Sequence, residues 1–470
     1  MGTGQAGGGW RAAWTGGRPA VHLGNVADFN AQFFDRAMDV PQRRRRLGQG
    51  HHYACMAACY SPEPAVVVLP HHLEDAWVRL LTHELEWGAV ELHSGVAPEQ
   101  PLVRALAGRP ALLERITGSG LPVLPWGRTA ALDTLLGAGV APAGPDVLEA
   151  TRRYESKAAS HELFAAIAPG HDLIAVPRQE RPDTLRRAAR LLAARAARGG
   201  TTVLKTPHGV GGFGTVVVTP RELAAAGGAR ALLRRLAAEE VLTLGGGLLL
   251  EEYVDGGGRL RNPTFDAVIG PDGAVHPVGV GAMDVDGTHY QGVTVGPGVV
   301  PGTLARAADR FGREVGRALA AGGYRGWFDI DFVTDRAHRL APTEINLRLT
   351  GPAVAFVIQA RLDEVRGPGH LVRTIDGLPL GARLPQEALF EHLERLRLRC
   401  APLGASLLPL IPTAGFEELP SVGLALAARS AETLDAAESL VRAGNHALGG
   451  LFETLVDADG ASEPRSRMAW

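Results

Sequence analysis

The stretch TTVLKTPHGVGGFGTVVVTP, residues 201–220, places a lysine on an apolar run, follows it with a glycine-rich loop and then returns to β-branched residues. Lys205 is one of only two lysines in 470 residues, the other being Lys157; every other Lys/Arg position is arginine. VLKTP and TVVVT each read as a strand, so the segment is strand, tight loop, strand. GVGGFG (209–214) has the spacing G-x-G-x-x-G, but a dinucleotide site wants a helix straight after the loop, so that its N-terminus receives a pyrophosphate. A strand follows instead. A protein-kinase loop tolerates that strand but wants its lysine beyond the glycines, and no lysine, H-R-D or D-F-G comes later in the chain. A plain hairpin turn is the bland alternative. A third arrangement puts lysine on the entering strand, with the N–H groups of a small-residue loop closing over a triphosphate. An ammonium is a compact point charge and a guanidinium a planar fork, so arginine is no equivalent at a tight phosphate contact.

A second segment, GWFDIDFVTDRAHRLAPTEINLRLTGP (326–352), reads as two strands around a turn at Thr334–His338. Alternate strand residues share a face, so Glu344, Asn346 and Arg348 point together, and Asp331 on the neighbouring strand faces them. Two carboxylates and an amide oxygen suit Mg²⁺, which takes few protein ligands and leaves the rest for waters and phosphate oxygens. Arg348 adds a cation for a transferring phosphoryl group. Taken singly, each residue fits an ordinary exposed strand face; the four on one face favour the metal reading. Asp329 shares the face of Asp331 and reads as a support for it, with a further metal ligand as the alternative.

Elsewhere, AVVVLP (65–70) and AVEL (89–92) read as strands around a helix at EDAWVRLLTHELEW (74–87), an α/β pattern. One helix is expected from a cap at Asp146 through LEATRRYESKAASHELFAAI, carrying Lys157, and another at 182–198, started by Pro182 and Asp183. GLLLEEYV, NPTFDAVI and PVGVGAM read as strands, 311–322 as a helix, and roughly 385–450 as a helix–strand–helix appendage. The glycine-rich residues 1–20 are expected to be flexible.

Forty-eight basic against fifty acidic residues give no global field for nucleic acid or a membrane surface. Three scattered cysteines, Cys55, Cys59 and Cys400, make no disulfide framework, and no apolar run reaches the ~20 residues of a membrane span. The chain reads as soluble and cytoplasmic. HHYACMAAC (51–59) lacks the paired ligand spacing of a zinc site and reads as a chance cluster, and RRRR (43–46) as a solvated face. H-E-L at 161–163 lacks the second histidine of a zinc protease.

Together these motifs resemble the ATP-grasp superfamily of ligases, over about residues 146–365. The resemblance implies that Lys157 and Lys205 grip the nucleotide phosphates under a loop of Gly209, Gly211, Gly212 and Gly214. It implies an adenine lined near Glu251, Glu252 and Val254, two Mg²⁺ ions (with Mn²⁺ as a substitute) on Asp331, Glu344 and Asn346, and Arg348 and Lys205 as catalytic residues. The family often supplies an acid to the ribose after this strand; here the nearest is Asp255. The fold expected is α/β (α+β) ATP-grasp: a flexible N-terminus (1–20), an α/β pre-grasp domain (21–145), small and large grasp lobes (146–246 and 247–365), a C-terminal α/β region (366–456) and a tail (457–470). The flanks look like the peptide ligases of the pheganomycin-ligase kind. The implied reaction joins an amino-acid or peptide carboxylate to an amine through an acyl phosphate, releasing ADP and phosphate. A small-molecule kinase and a nucleotide-binding regulatory module are the alternatives. The partners expected are small molecules, without nucleic acid or membrane, and a homodimer is compatible with the reading.

Overall fold

A computed structural model of the chain describes residues 9–33, 38–137, 144–209, 214–239, 241–242, 247–256, 260, 262–417 and 419–461, with the backbone alone for 144–145 and 451–461. Among the described residues the strands form three sheets. The first is parallel, in the order β3-β2-β1-β4, from β1 (Ala20–Leu23), β2 (Pro64–Val68), β3 (Glu91–His93) and β4 (Val123–Pro125). Its connections carry helices, as parallel pairing requires. The second is antiparallel, in the order β5-β8-β6-β7, from β5 (Gln179–Glu180), β6 (Thr202–Lys205), β7 (Thr215–Val218) and β8 (Leu249–Glu252). The strand–loop–strand reading of 201–220 is thus the hairpin β6–β7, with Lys205 opposite Thr215.

The third sheet has eight antiparallel strands in the order β13-β12-β9-β10-β11-β14-β16-β15. They are β9 (Asn262–Ile269), β10 (Val275–Asp286), β11 (His289–Val295), β12 (Gly326–Thr334), β13 (Leu340–Asn346), β14 (Leu371–Pro379), β15 (Ser406–Ile411) and β16 (Ser421–Ala428). The strands after residue 366 extend this central sheet rather than forming an appendage of their own.

Strand alternation sorts the side chains of the central sheet by chemistry. Phe265, Ala267, Phe328, Ile330 and Ile345 pack with one face of the helix Gly302–Ala321, whose Leu304, Ala308, Phe311, Val315 and Leu319 recur at helical spacing. The intervening residues Asp266, Asp329, Asp331, Glu344 and Asn346 turn to the opposite face. There the helix Gly351–Arg366 is buried through most of its length between the sheet and the N-terminal domain, which suits its all-round apolar run AVAFVI.

Three further expectations are corrected. Residues 9–20 are not flexible: Gly9–Thr15 is a helix, and Trp10, 3% exposed, meets Trp327 edge-on with ring centroids 5.5 Å apart. The dispersed glycines hid two anchoring tryptophans, Trp10 and Trp14. The helix through Lys157 is two, Gly144–Tyr154 and Lys157–Ile167, so Asp146 lies in a first turn rather than capping it. The break fits the burial of the Glu155 carboxylate, which accepts a bond from the Leu347 N–H at 2.7 Å. The helix expected at 182–198 runs Leu185–Ala197, because the Thr184 hydroxyl, not Asp183, accepts from the Arg187 N–H. Among the described residues, no helix is long and apolar enough to cross a membrane.

Candidate active site

The break between the two helices puts Lys157 at the first position of the second one, where its backbone N–H donates to Pro207 O at 2.8 Å. Its ammonium pairs directly with the Glu344 carboxylate and reaches Gly209 O at 3.5 Å. Lys205, at the end of β6, donates to Glu251 Oε1 at 2.6 Å and to Thr343 O at 3.4 Å, beside Glu344 on β13. Both ammonium groups, on separate elements, therefore converge on the strand that carries the acid–amide row. Both lysines are buried.

The loop between β6 and β7 is pinned at its described ends. Thr206 N donates to Gly214 O at 2.7 Å and Thr206 Oγ1 to His208 O at 2.6 Å. Gly214 has φ +76°, and a Cβ there would lie 2.0 Å from Thr206 Oγ1, so both conformation and space demand glycine. Gly211 and Gly212 lie outside the described residues. The turn between β10 and β11 touches this hairpin: Thr288 Oγ1 donates to Thr215 O at 3.1 Å.

Register brings the acids together. Asp331 is directly opposite Glu344, and Asp329 lies between Asn346 on one side and Asp266 on the other. Asn346 Nδ2 donates to Asp329 Oδ1 at 2.7 Å and Asp331 Oδ2 at 3.4 Å, while its Oδ1 accepts from Arg348 at 2.6 Å. Burial pushes the Asp329 carboxyl up to about 7. Burial, reinforced by the neighbouring carboxylates, also raises Asp331 and Asp266 well above the usual range. Glu344 goes the other way: burial alone would raise it, but Lys157, Lys205 and Arg348 hold it below. Asp331 Oδ1 is buried without a hydrogen-bond partner. Buried carboxylates are normally paired or bound to metal, so this unpartnered oxygen fits a cation. The row offers two carboxylates and an amide; among the described residues no three His, Cys, Asp or Glu side chains are arranged to hold a metal. That includes HHYACMAAC, whose Cys55 and Cys59 are buried thiols pushed up by burial.

Arg348 is buried between the sheet and the N-terminal domain, its guanidinium 5.9 Å from the centre of the Phe29 ring and 5.8 Å from that of Trp126. Leu349 N donates to Trp126 O at 2.9 Å, which ties the end of the E-x-N-x-R segment to the domain. Glu155 lies 3.7 Å from Arg348 Nε. Glu155, Asp266, Phe29 and Trp126 escaped the sequence reading: none belongs to a spaced motif, and only the three-dimensional packing aligns them with Arg348 and Asp331. Of the residues expected around an adenine, Glu251 is buried and held by Lys205 and Gln179, Glu252 is exposed with its N–H on Arg178 O, and Val254 is half-buried. Asp255 is exposed and paired with Arg336 at 2.5 Å.

No family model matches the chain, and no curated protein matches it in sequence. Solved structures do match in fold. An N5-carboxyaminoimidazole ribonucleotide synthetase in complex with ADP superposes with a TM-score of 0.50 at 13% identity, covering 80% of this chain and 89% of that one. The biotin carboxylase domain of Hydrogenobacter thermophilus 2-oxoglutarate carboxylase, with MgADP, ADP and bicarbonate, gives 0.52 at 14% identity over 83% and 87%. The Aspergillus clavatus N5-carboxyaminoimidazole synthase, with ADP and 5-aminoimidazole ribonucleotide, gives 0.52 at 13% over 81% and 99%. At this identity the likeness concerns architecture, and on that ground the chain has the α/β fold of the ATP-grasp proteins.

Proposed function

We propose that the protein is an ATP-dependent carboxylate–amine ligase that makes an amide or peptide bond through an acyl phosphate, on amino-acid or peptide substrates. The observation that carries this reading is the convergence of Lys157 and Lys205 on the strand bearing Glu344 and Asn346. Lys157 and Lys205 take the polyphosphate, covered by the loop of Gly209, Gly211, Gly212 and Gly214. The backbone around Glu251, Glu252 and Val254 receives the adenine. Asp331, Glu344 and Asn346 would hold two Mg²⁺ ions, or Mn²⁺ in their place, which when bound neutralise charge spread over the phosphoryl oxygens.

In the first step the substrate carboxylate attacks the γ-phosphorus and ADP leaves. Arg348, fixed between Phe29 and Trp126, stabilises the acyl phosphate and the later tetrahedral oxyanion. Nucleotide must first displace the internal contacts: Lys157 leaves Glu344, and Arg348 releases Asn346 Oδ1. In the second step an amine attacks the acyl carbon and phosphate departs. The solved structures with ADP or MgADP on the same architecture support the nucleotide part of the proposal.

The deciding assay follows ADP and phosphate with panels of carboxylates and amines, each omitted in turn. Release of both products that depends on acid and amine together is expected. ADP release coupled to a phosphorylated alcohol, without free phosphate or amide, would establish a kinase instead.

A further inference from the structure

Linked to Arg348 through Trp126 lies a polar cluster that the proposed phosphoryl transfer does not use. Asp376 sits on β14 at a bulge, where the pairing with β16 shifts between Ile375 and Leu378. Its Oδ2 accepts from the Tyr53 hydroxyl at 2.7 Å, and its Oδ1 is buried without a partner. Burial raises its carboxyl, and the Tyr53 hydrogen bond partly offsets that. Trp126, edge-on to Tyr53 with centroids 5.5 Å apart, carries the Arg348 guanidinium and has a buried, unpartnered Nε1.

Tyr290 on β11 forms the other wall. Its hydroxyl would lie 2.4 Å from a Cβ on Gly351, three residues beyond Arg348. Burial lifts the Tyr290 phenol well above its usual range, and the charges of Asp376, Asp331 and Asp266 act in the same direction. The Tyr290 hydroxyl lies 3.5 Å from Thr374 Oγ1, two residues before Asp376 on β14, while Tyr53 bonds Asp376 and meets Trp126, which carries Arg348. A lone carboxylate with a free buried oxygen, walled by phenols and an indole, has the chemistry of an ammonium receptor. Two unpartnered polar atoms in one buried cluster are themselves unusual, since buried polar groups are nearly always satisfied.

We propose that Asp376, with Tyr53 and Tyr290, seats the acceptor amine: its ammonium group docks on Asp376 and is delivered from there to the acyl phosphate beside Arg348. This rests on the ligase reading above. The ammonium gives one proton to Asp376 Oδ1, and the freed nitrogen lone pair attacks the acyl carbon. The C–O bond to phosphate then breaks, phosphate keeps the electron pair, and the second nitrogen proton leaves with it. Burial pushes the Asp376 carboxyl up to about 7, which suits a proton acceptor near neutral pH.

The test separates activation from amine capture. Wild type and the Asp376→Asn and Tyr53→Phe variants are incubated with MgATP and the twenty amino acids in donor–acceptor pairs. In parallel, hydroxylamine replaces the acceptor; it is small and uncharged at neutral pH and needs no ammonium seat. The ratio of amide to hydroxamate is expected to fall at least tenfold in Asp376→Asn and by a smaller factor in Tyr53→Phe. An unchanged ratio in both variants overturns the seat, including the case where both products fall together because Asp376 holds the donor instead. Wild type that forms neither hydroxamate nor amide with any pair overturns the ligase reading itself.

Discussion

The ammonium of Lys157 closes directly on the carboxylate of Glu344, joining the start of a helix to the acid–amide strand of the central sheet. A cation of the chain itself thus occupies the ligand proposed for Mg²⁺, and on that proposal MgATP competes with it. A nucleotide that binds only the folded state stabilises it by about 2.7 kcal/mol at one hundred times its Kd. Lys157→Ala removes both the plug and the phosphate contact proposed above. The expected result is a MgATP-induced rise in melting temperature in wild type and its loss in the variant, read by thermal denaturation with and without MgATP.

Lys205 has a structural duty as well. Its ion pair with Glu251 is almost fully buried, with side chains 5% and 4% exposed. Removing one partner strands the other in a low dielectric, at a cost of about 3 kcal/mol. Lys205→Ala is therefore expected to abolish turnover and to lose stability in urea denaturation. Pairing Lys205→Met with Glu251→Gln should restore much of the stability while leaving the enzyme inactive. Full ATP turnover in either protein would exclude a phosphate role for Lys205.

Asp331 illustrates stability given up for the metal binding proposed above. Its folded carboxyl is raised by burial first and then by Asp329, Glu344 and Asp266. An acid raised on folding holds more protons in the folded than in the unfolded chain between its two values, so stability falls as pH climbs through that window. Asp331→Asn removes this penalty. The variant is expected to be more stable than wild type without ligand, by a margin that grows from pH 5 to pH 8, and to have lost its stabilisation by MgATP. Urea titrations at the two pH values, with and without MgATP, measure both effects.

The hairpin at 201–220 and the E-x-N-x-R strand were legible because period-two alternation and glycine position are local signals. Asp331 was placed opposite Glu344 by hairpin logic alone, and the register agrees. The helix break at Glu155 was not legible, since it depends on a hydrogen bond to Leu347, 192 residues away. Nor was the packing of Phe29 and Trp126 on Arg348, because aromatic residues in short N-terminal elements look like ordinary core. The membership of β14, β15 and β16 in the central sheet was hidden for a related reason: alternation reports a strand but not its neighbours.

His22 gives the acid limb of stability a specific source. It lies on β1, fully buried, with Nδ1 2.7 Å from Ala57 O and Nε2 2.8 Å from Ser61 Oγ. Burial lowers its pKa to about 4, against an ordinary value of 6.5. Between those values the unfolded chain binds a proton that the folded chain refuses, so stability rises with pH across the window and is lost as pH falls from 6.5 toward 4. A shift of this size corresponds to ~3 kcal/mol for one group. His51 and His71, also lowered to about 4 mainly by burial, act in the same direction. His22→Gln keeps a polar side chain for Ala57 and Ser61 without a titrating proton. Its urea midpoint is expected to lie below wild type at pH 7.5 and to decline less steeply toward pH 4.5. Parallel curves for the two proteins would show that His22 does not couple folding to protons.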